Sequence, residues 1–102
     1  MDKEIEVENI IEFEEIINNK DIRVSKALVE TILKNLKGRK KEIPALSIKC
    51  RMEGDIYDIC VSREDFILTL ESNLPIMERE EMFEECGEII KAIKYLKNKK
   101  KK

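Results

Sequence analysis

Residues 43–62 read IPALSIKCRMEGDIYDICVS, and this stretch decides the fold class. Apolar and polar residues alternate on both sides of Gly54, the period of a half-buried strand. Gly54-Asp55 suits a two-residue type II′ turn with glycine at its first central position. Such a turn predicts an antiparallel hairpin in which Leu46, Ile48, Cys50 and Met52 stand opposite Arg63, Val61, Ile59 and Tyr57 on an apolar face. On the polar face it sets Arg51 opposite Asp58, Lys49 opposite Cys60 and Ser47 opposite Ser62. Cys50 then points to the core and Cys60 away from it, which excludes a disulfide between them.

Upstream of the hairpin, Ser25 offers an N-cap, with Val24 placed to pack on Val29 as a staple. Leu28, Val29, Ile32, Leu33 and Leu36 share one face and Gly38 supplies a stop, which predicts a helix over 26–37. Asn9, three residues before Glu12, opens a second helix over 10–18 with Ile10, Phe13, Ile16 and Ile17 at helical spacing. Residues 3–8 alternate Ile5 and Val7 with acids as a short strand would, although one helix running from Glu4 satisfies them too.

Downstream, Ser62 and Asp65 signal a helix over 63–73, striped by Phe66, Ile67, Leu70 and Leu74. Pro75 ends it and opens a final helix over 75–97. Met82, Cys86, Ile89, Ile93 and Leu96 form the stripe of that helix, and Phe83 and Ile90 widen it to one side. Gly87 within it costs about 1 kcal/mol of helix propensity relative to alanine, which suits a site of close approach. The order is (β)-α-α-β-β-α-α: an α+β, helix-dominated small domain with one antiparallel hairpin, joined by a third strand if 3–8 is extended, on three to four helices. A single globular domain over 1–97 and a lysine-rich disordered tail over 98–102 are expected.

The segment Glu78–Leu96, EREEMFEECGEIIKAIKYL, resembles the UVR motif, a short helical hairpin of bacterial proteins that dock onto repair and protease machines. The shared features are Phe83-Glu84, the small pair Cys86-Gly87, Glu88-Ile89, Ile93 and Leu96. Cys86-Gly87 replaces the usual double alanine, and Ile90-Lys91 replaces the arginine-aspartate. The resemblance covers about a fifth of the chain and implies a helical docking element.

The chemistry available is narrow. The 102 residues contain no histidine, which removes the commonest general base and the Ser-His and Cys-His nucleophile pairs. Gly38, Gly54 and Gly87 are isolated, so no phosphate-cradling loop exists. Cys50, Cys60 and Cys86 show no CxxC spacing and are too few for a zinc site, so three reduced thiols are expected. Asp55 and Asp58 flank the turn, where an ion pair of Asp58 with Arg51 accounts for them better than a metal. No catalytic residue, metal or cofactor is expected. No run approaches the roughly 20 apolar residues of a membrane span, and no apolar leader follows Met1, so a cytoplasmic, soluble chain without membrane partners is expected. Abundant Ile, Lys and Asn point to AT-rich codons and a low-GC bacterial or phage genome.

Charge is segregated along the chain. It runs −6 over residues 1–19, +7 over 20–51, −10 over 52–88 and +7 over 89–102. The acidic stretch with its two large apolar residues, Glu80, Glu81, Met82, Phe83, Glu84 and Glu85, is the expected partner-binding site. Its expected role is that of a non-enzymatic adaptor or inhibitor, of the kind a phage sets against a host complex. A second copy joined through the C-terminal helix is the other partner expected. The alternative is a nucleic-acid-binding accessory protein using Lys37, Arg39, Lys40, Lys41, Lys99 and Lys100. The sequence pI near 5.4 and the lack of aromatics among those lysines limit it to weak, salt-sensitive binding.

Overall fold

The structure, a computed structural model, describes residues 4–19 and 21–100. Its order is β1 (Glu4–Val7), α1 (Ile10–Asn18), α2 (Ile22–Lys34), β2 (Glu42–Cys50), β3 (Asp55–Ser62), a 3-10 turn (Arg63–Asp65), α3 (Phe66–Arg79) and α4 (Phe83–Lys100). The α+β class and the element order are those expected, with the N-terminal strand present. β2 is central, parallel to β1 and antiparallel to β3, so the sheet is mixed. All four helices pack on one side of it. Val7, Ile48, Leu46 and Val61 from the sheet meet Ile16, Val29, Ile32, Phe66, Leu70 and Ile89 from the helices. Phe13 of α1 stacks on Tyr57 of β3, ring centroids 4.9 Å apart.

The hairpin keeps its predicted faces but not its predicted partners. Leu46 pairs with Ile59, Ile48 with Tyr57, Ser47 with Asp58 and Cys50 with Asp55. The loop is therefore Arg51–Gly54 rather than Gly54-Asp55. The reason lies outside the hairpin, in β1. The amides of Arg51 and Met52 both donate to β1 and the residue after it, to the carbonyls of Val7 (2.9 Å) and Glu8 (2.9 Å). Consecutive amides donating to one side have left strand geometry, because strand amides alternate. Gly54 closes the loop at φ 76°, its N–H on the Cys50 carbonyl at 2.8 Å. From Leu46 to Cys50 the register moved by an even step, so no side chain there changed face. Arg51 consequently pairs with Glu8 at 3.3 Å, and Asp58 accepts from the Ser47 hydroxyl at 2.7 Å. Met52, expected on the apolar face, lies in the loop at 74% exposure. A bulge at Ala45 then flips the start of β2, which turns Ile43 into the core and Pro44 outward. Proline lacks the ladder donor and belongs at such a bulge.

α1 keeps its expected bounds, whereas both ends of α2, α3 and α4 differ from the expected ones. α2 starts one turn early because Asp21, not Ser25, is its N-cap: the Asp21 carboxylate accepts from the Arg23 amide (2.9 Å) and from its Nε (3.0 Å). Ser25 is buried within the helix. At the other end α2 stops at Lys34 rather than 37. The Asn35 carbonyl is taken by Gly38 N–H and by the Arg63 guanidinium, and the Asn35 side-chain amide donates to Thr31 O at 2.7 Å.

Pro75 does not end α3. It sits inside the helix, exposed like Glu71 and Ser72, so the missing hydrogen bond falls on the solvent side. Ile76 and Met77 beyond it are buried and hold the helix to the core. The break comes at Glu80–Met82. Glu81 adopts φ 57°, its N–H on the Glu78 carbonyl, while Met82 N–H reaches back to Met77 O at 2.9 Å. That pair of bonds is a Schellman motif, with glutamate at the left-handed position usually held by glycine. α4 therefore begins at Phe83, not 75, and runs through Asn98 and Lys99 to Lys100. Three of the five residues expected in the tail are helical; 101–102, like Lys3 of the expected strand, lie outside the described residues.

Candidate functional site

The corner between α3 and α4 carries the six residues singled out in the acidic stretch. Glu80 caps α3 and pairs with Arg79 at 3.3 Å; Glu81 is the strained corner residue. Met82 is half-buried and packs against the core, contrary to the exposure its acidic neighbours suggest. Its carbonyl accepts the Cys86 amide at 3.0 Å, the first hydrogen bond of α4. Glu85 is half-buried, whereas Phe83 and Glu84 are open to solvent. Phe83 is 66% exposed.

α4 has two unlike faces. Cys86, Ile89, Ala92 and Leu96 are buried, with Ile93 half-buried beside them. Opposite, at steps of four and three, stand Phe83, Gly87, Ile90 and Lys94, all exposed, with Glu84 and Lys91 flanking. Ile90 is 54% exposed. A Cβ added at Gly87 would meet nothing within 4 Å. The close approach its glycine suggests is therefore not made by any described residue of this chain. Among the described residues Glu84, Lys91 and Lys94 form no ion pair.

The opposite end of the α3–α4 pair is basic. Lys37, Arg39, Lys40 and Lys41 are exposed in the α2–β2 connection, and Lys99 is exposed near the end of α4, whose last residue is Lys100. The fold brings part of these two distant segments together: Lys41 and Lys99 line a 570 Å³ cleft floored by Leu36, Phe66 and Ile67. Arg63 stands between them, a residue the sequence did not single out. Its Nε donates to Lys40 O at 2.6 Å, one terminal nitrogen donates to Asn35 O at 2.8 Å, and the guanidinium lies 4.9 Å from the Phe66 ring centre. The other terminal nitrogen is buried beneath Gly38, with no hydrogen-bond partner among the described residues. Arg63 thus closes the end of α2. Glu42 and Glu64 also line the cleft, so its field is mixed rather than strongly positive.

No group of three or more metal-ligating side chains occurs among the described residues. Cys50 and Cys86 are buried and Cys60 is exposed. Burial pushes the Cys50 and Cys86 thiols up. Among the described residues no helix is long and apolar enough to cross a membrane. No protein-family model, no curated protein and no solved structure matches the chain. The segment resembling the UVR motif spans the last two residues of α3, the corner and most of α4, and carries only one long helix.

Proposed function

We propose that this protein is a non-catalytic binding module that docks a protein partner through the outer face of α4, with Phe83 as its anchor. The observation that carries it is the exposure of Phe83 and Ile90 on either side of an open glycine, on a helix whose other face already completes the core. Large apolar side chains rimmed by charge mark interaction sites, and an aromatic at the centre of such a patch is a typical anchor. Glu80, Glu81, Glu84 and Glu85 form the acidic rim and would steer a partner bearing basic groups. The test compares affinity capture by wild type, Phe83→Asp and a Glu80/Glu81/Glu84/Glu85→Lys variant. A partner held by the wild type should be lost from both, with the thermal midpoint of Phe83→Asp unchanged to within a few degrees. Equal retention by all three would sink the proposal.

The meeting of Lys41, Lys99 and Arg63 at one end favours a second reading, as a nucleic-acid-binding accessory protein. Glu42 and Glu64 at the same cleft count against tight binding. Binding there would be sequence-independent and would fade as salt rises to about 200 mM, the behaviour of phosphate contacts alone. Sequence-specific binding that survives such salt would show a different mechanism.

A further inference from the structure

We infer that the partner of the outer face of α4 is a second copy of this chain, packed antiparallel about a two-fold axis through Gly87. The inference rests on the docking proposed for that face and names its occupant. Three observations converge on it.

The first is the missing side chain. Gly87 lies mid-stripe with open space above it, although alanine there would favour the helix. A glycine at a helix surface lets another helix approach closely, and a partner helix is the occupant that such an approach accommodates. The second is apolar self-complementarity. Phe83 lies four residues before Gly87 and Ile90 three after it, on the same flank of the stripe. A two-fold axis at Gly87 reverses the partner helix and keeps each flank beside its own copy, so Phe83 meets the partner's Ile90 twice.

The third is the charge gradient. The first half of α4 carries Glu84, Glu85 and Glu88, and the second half carries Lys91, Lys94, Lys97 and Lys99. In the antiparallel pair Glu84 lies beside the partner's Lys91 on the other flank. A parallel pair would instead set acid against acid and lysine against lysine, which is repulsive. Among the described residues Glu84 and Lys91 form no ion pair, so both are free to pair across the axis. One helix face per protomer is a small interface, so a concentration-dependent dimer is expected rather than a permanent one.

Sedimentation equilibrium on the full chain tests the geometry through charge reversal. Glu84→Lys and Lys91→Glu change only exposed side chains, so both variants fold; circular dichroism verifies it. Each alone places like charges side by side twice per dimer and should weaken self-association by about tenfold or more. Mixed one to one, the two variants restore opposite charges at both contacts and should associate again, as should the double variant Glu84→Lys/Lys91→Glu. Gly87→Ala should weaken association while raising the thermal midpoint of the dilute protein. Three results would overturn the inference: a wild type that stays monomeric up to high concentration, single variants that dimerise as the wild type does, or a mixture that fails to recover. A monomeric wild type that still loses a different protein on Phe83→Asp would leave the docking face standing and remove only the second copy.

Discussion

Gly38 and Gly87 both interrupt apolar helical patterns, and the structure treats them in opposite ways. Above Gly38 the space is filled: an added Cβ would come within 3.0 Å of the Arg63 guanidinium, itself bound to the Asn35 and Lys40 carbonyls. Above Gly87 no described residue would come within 4 Å of an added Cβ. A glycine explained by its own chain belongs to the architecture of the domain. One that costs helix propensity with no internal return points to something outside the chain. The same contrast separates the ends of the α3–α4 pair. The basic end is tied down by Arg63, whereas the corner end holds a strained Glu81 and an exposed Phe83.

The largest test of that contrast sets the two faces of α4 against each other. Ile89 is fully buried, so Ile89→Ala should cost about 2–5 kcal/mol in urea unfolding. Phe83→Ala should stay within about 0.5 kcal/mol of wild type in dilute protein. Similar losses for both would place Phe83 in the core and erase the distinction. Next in size, Arg63→Met keeps an apolar stem over Phe66 but leaves two carbonyls without their charged donor, an expected loss of about 2 kcal/mol. An unchanged midpoint would mean that the α2 end is held by other means.

The glycines themselves should then diverge in sign. Gly38→Ala should lose up to about 1 kcal/mol as the guanidinium gives way, whereas Gly87→Ala should gain about as much in dilute protein. Glu81→Gly, relieving the left-handed backbone at the corner, should gain about 1 kcal/mol as well. Calorimetry on the three variants at one low concentration reads all of these signs.

The smallest effect concerns the thiols. Cys60 is exposed while Cys50 and Cys86 are buried, so Cys60 should react first with a thiol reagent in the native protein. Burial raises the Cys50 and Cys86 pKa values in the folded state, so above about pH 8.5 the unfolded chain loses thiol protons that the folded one keeps. Stability should therefore fall as pH rises through and above that value. Replacing both buried cysteines with alanine should flatten the fall; a fall that persists unchanged would assign it to other groups.

Local chemistry determined much of this protein directly from its sequence. Asn9 and Glu12 mark the start of α1 because a side-chain cap lies within one turn of the amide it serves. The inward set Leu46, Ile48, Cys50, Tyr57, Ile59 and Val61 follows from strand alternation, which any even change of register preserves. The buried stripe of α4 and the outward Cys60 follow from the same periodicities. What the tertiary structure decided lies where a distant group competes for the same atoms. β1 takes the amides of Arg51 and Met52 and so moves the turn; Arg63, 28 residues away, takes the Asn35 carbonyl at the end of α2. Burial of Ile76 and Met77 carries α3 through Pro75, and the bonds back to Met77 and Glu78 hold a glutamate where glycine was the signal to look for. The meeting of Lys41 and Lys99, and the emptiness above Gly87, are likewise properties of packed elements, which no window of neighbouring residues contains.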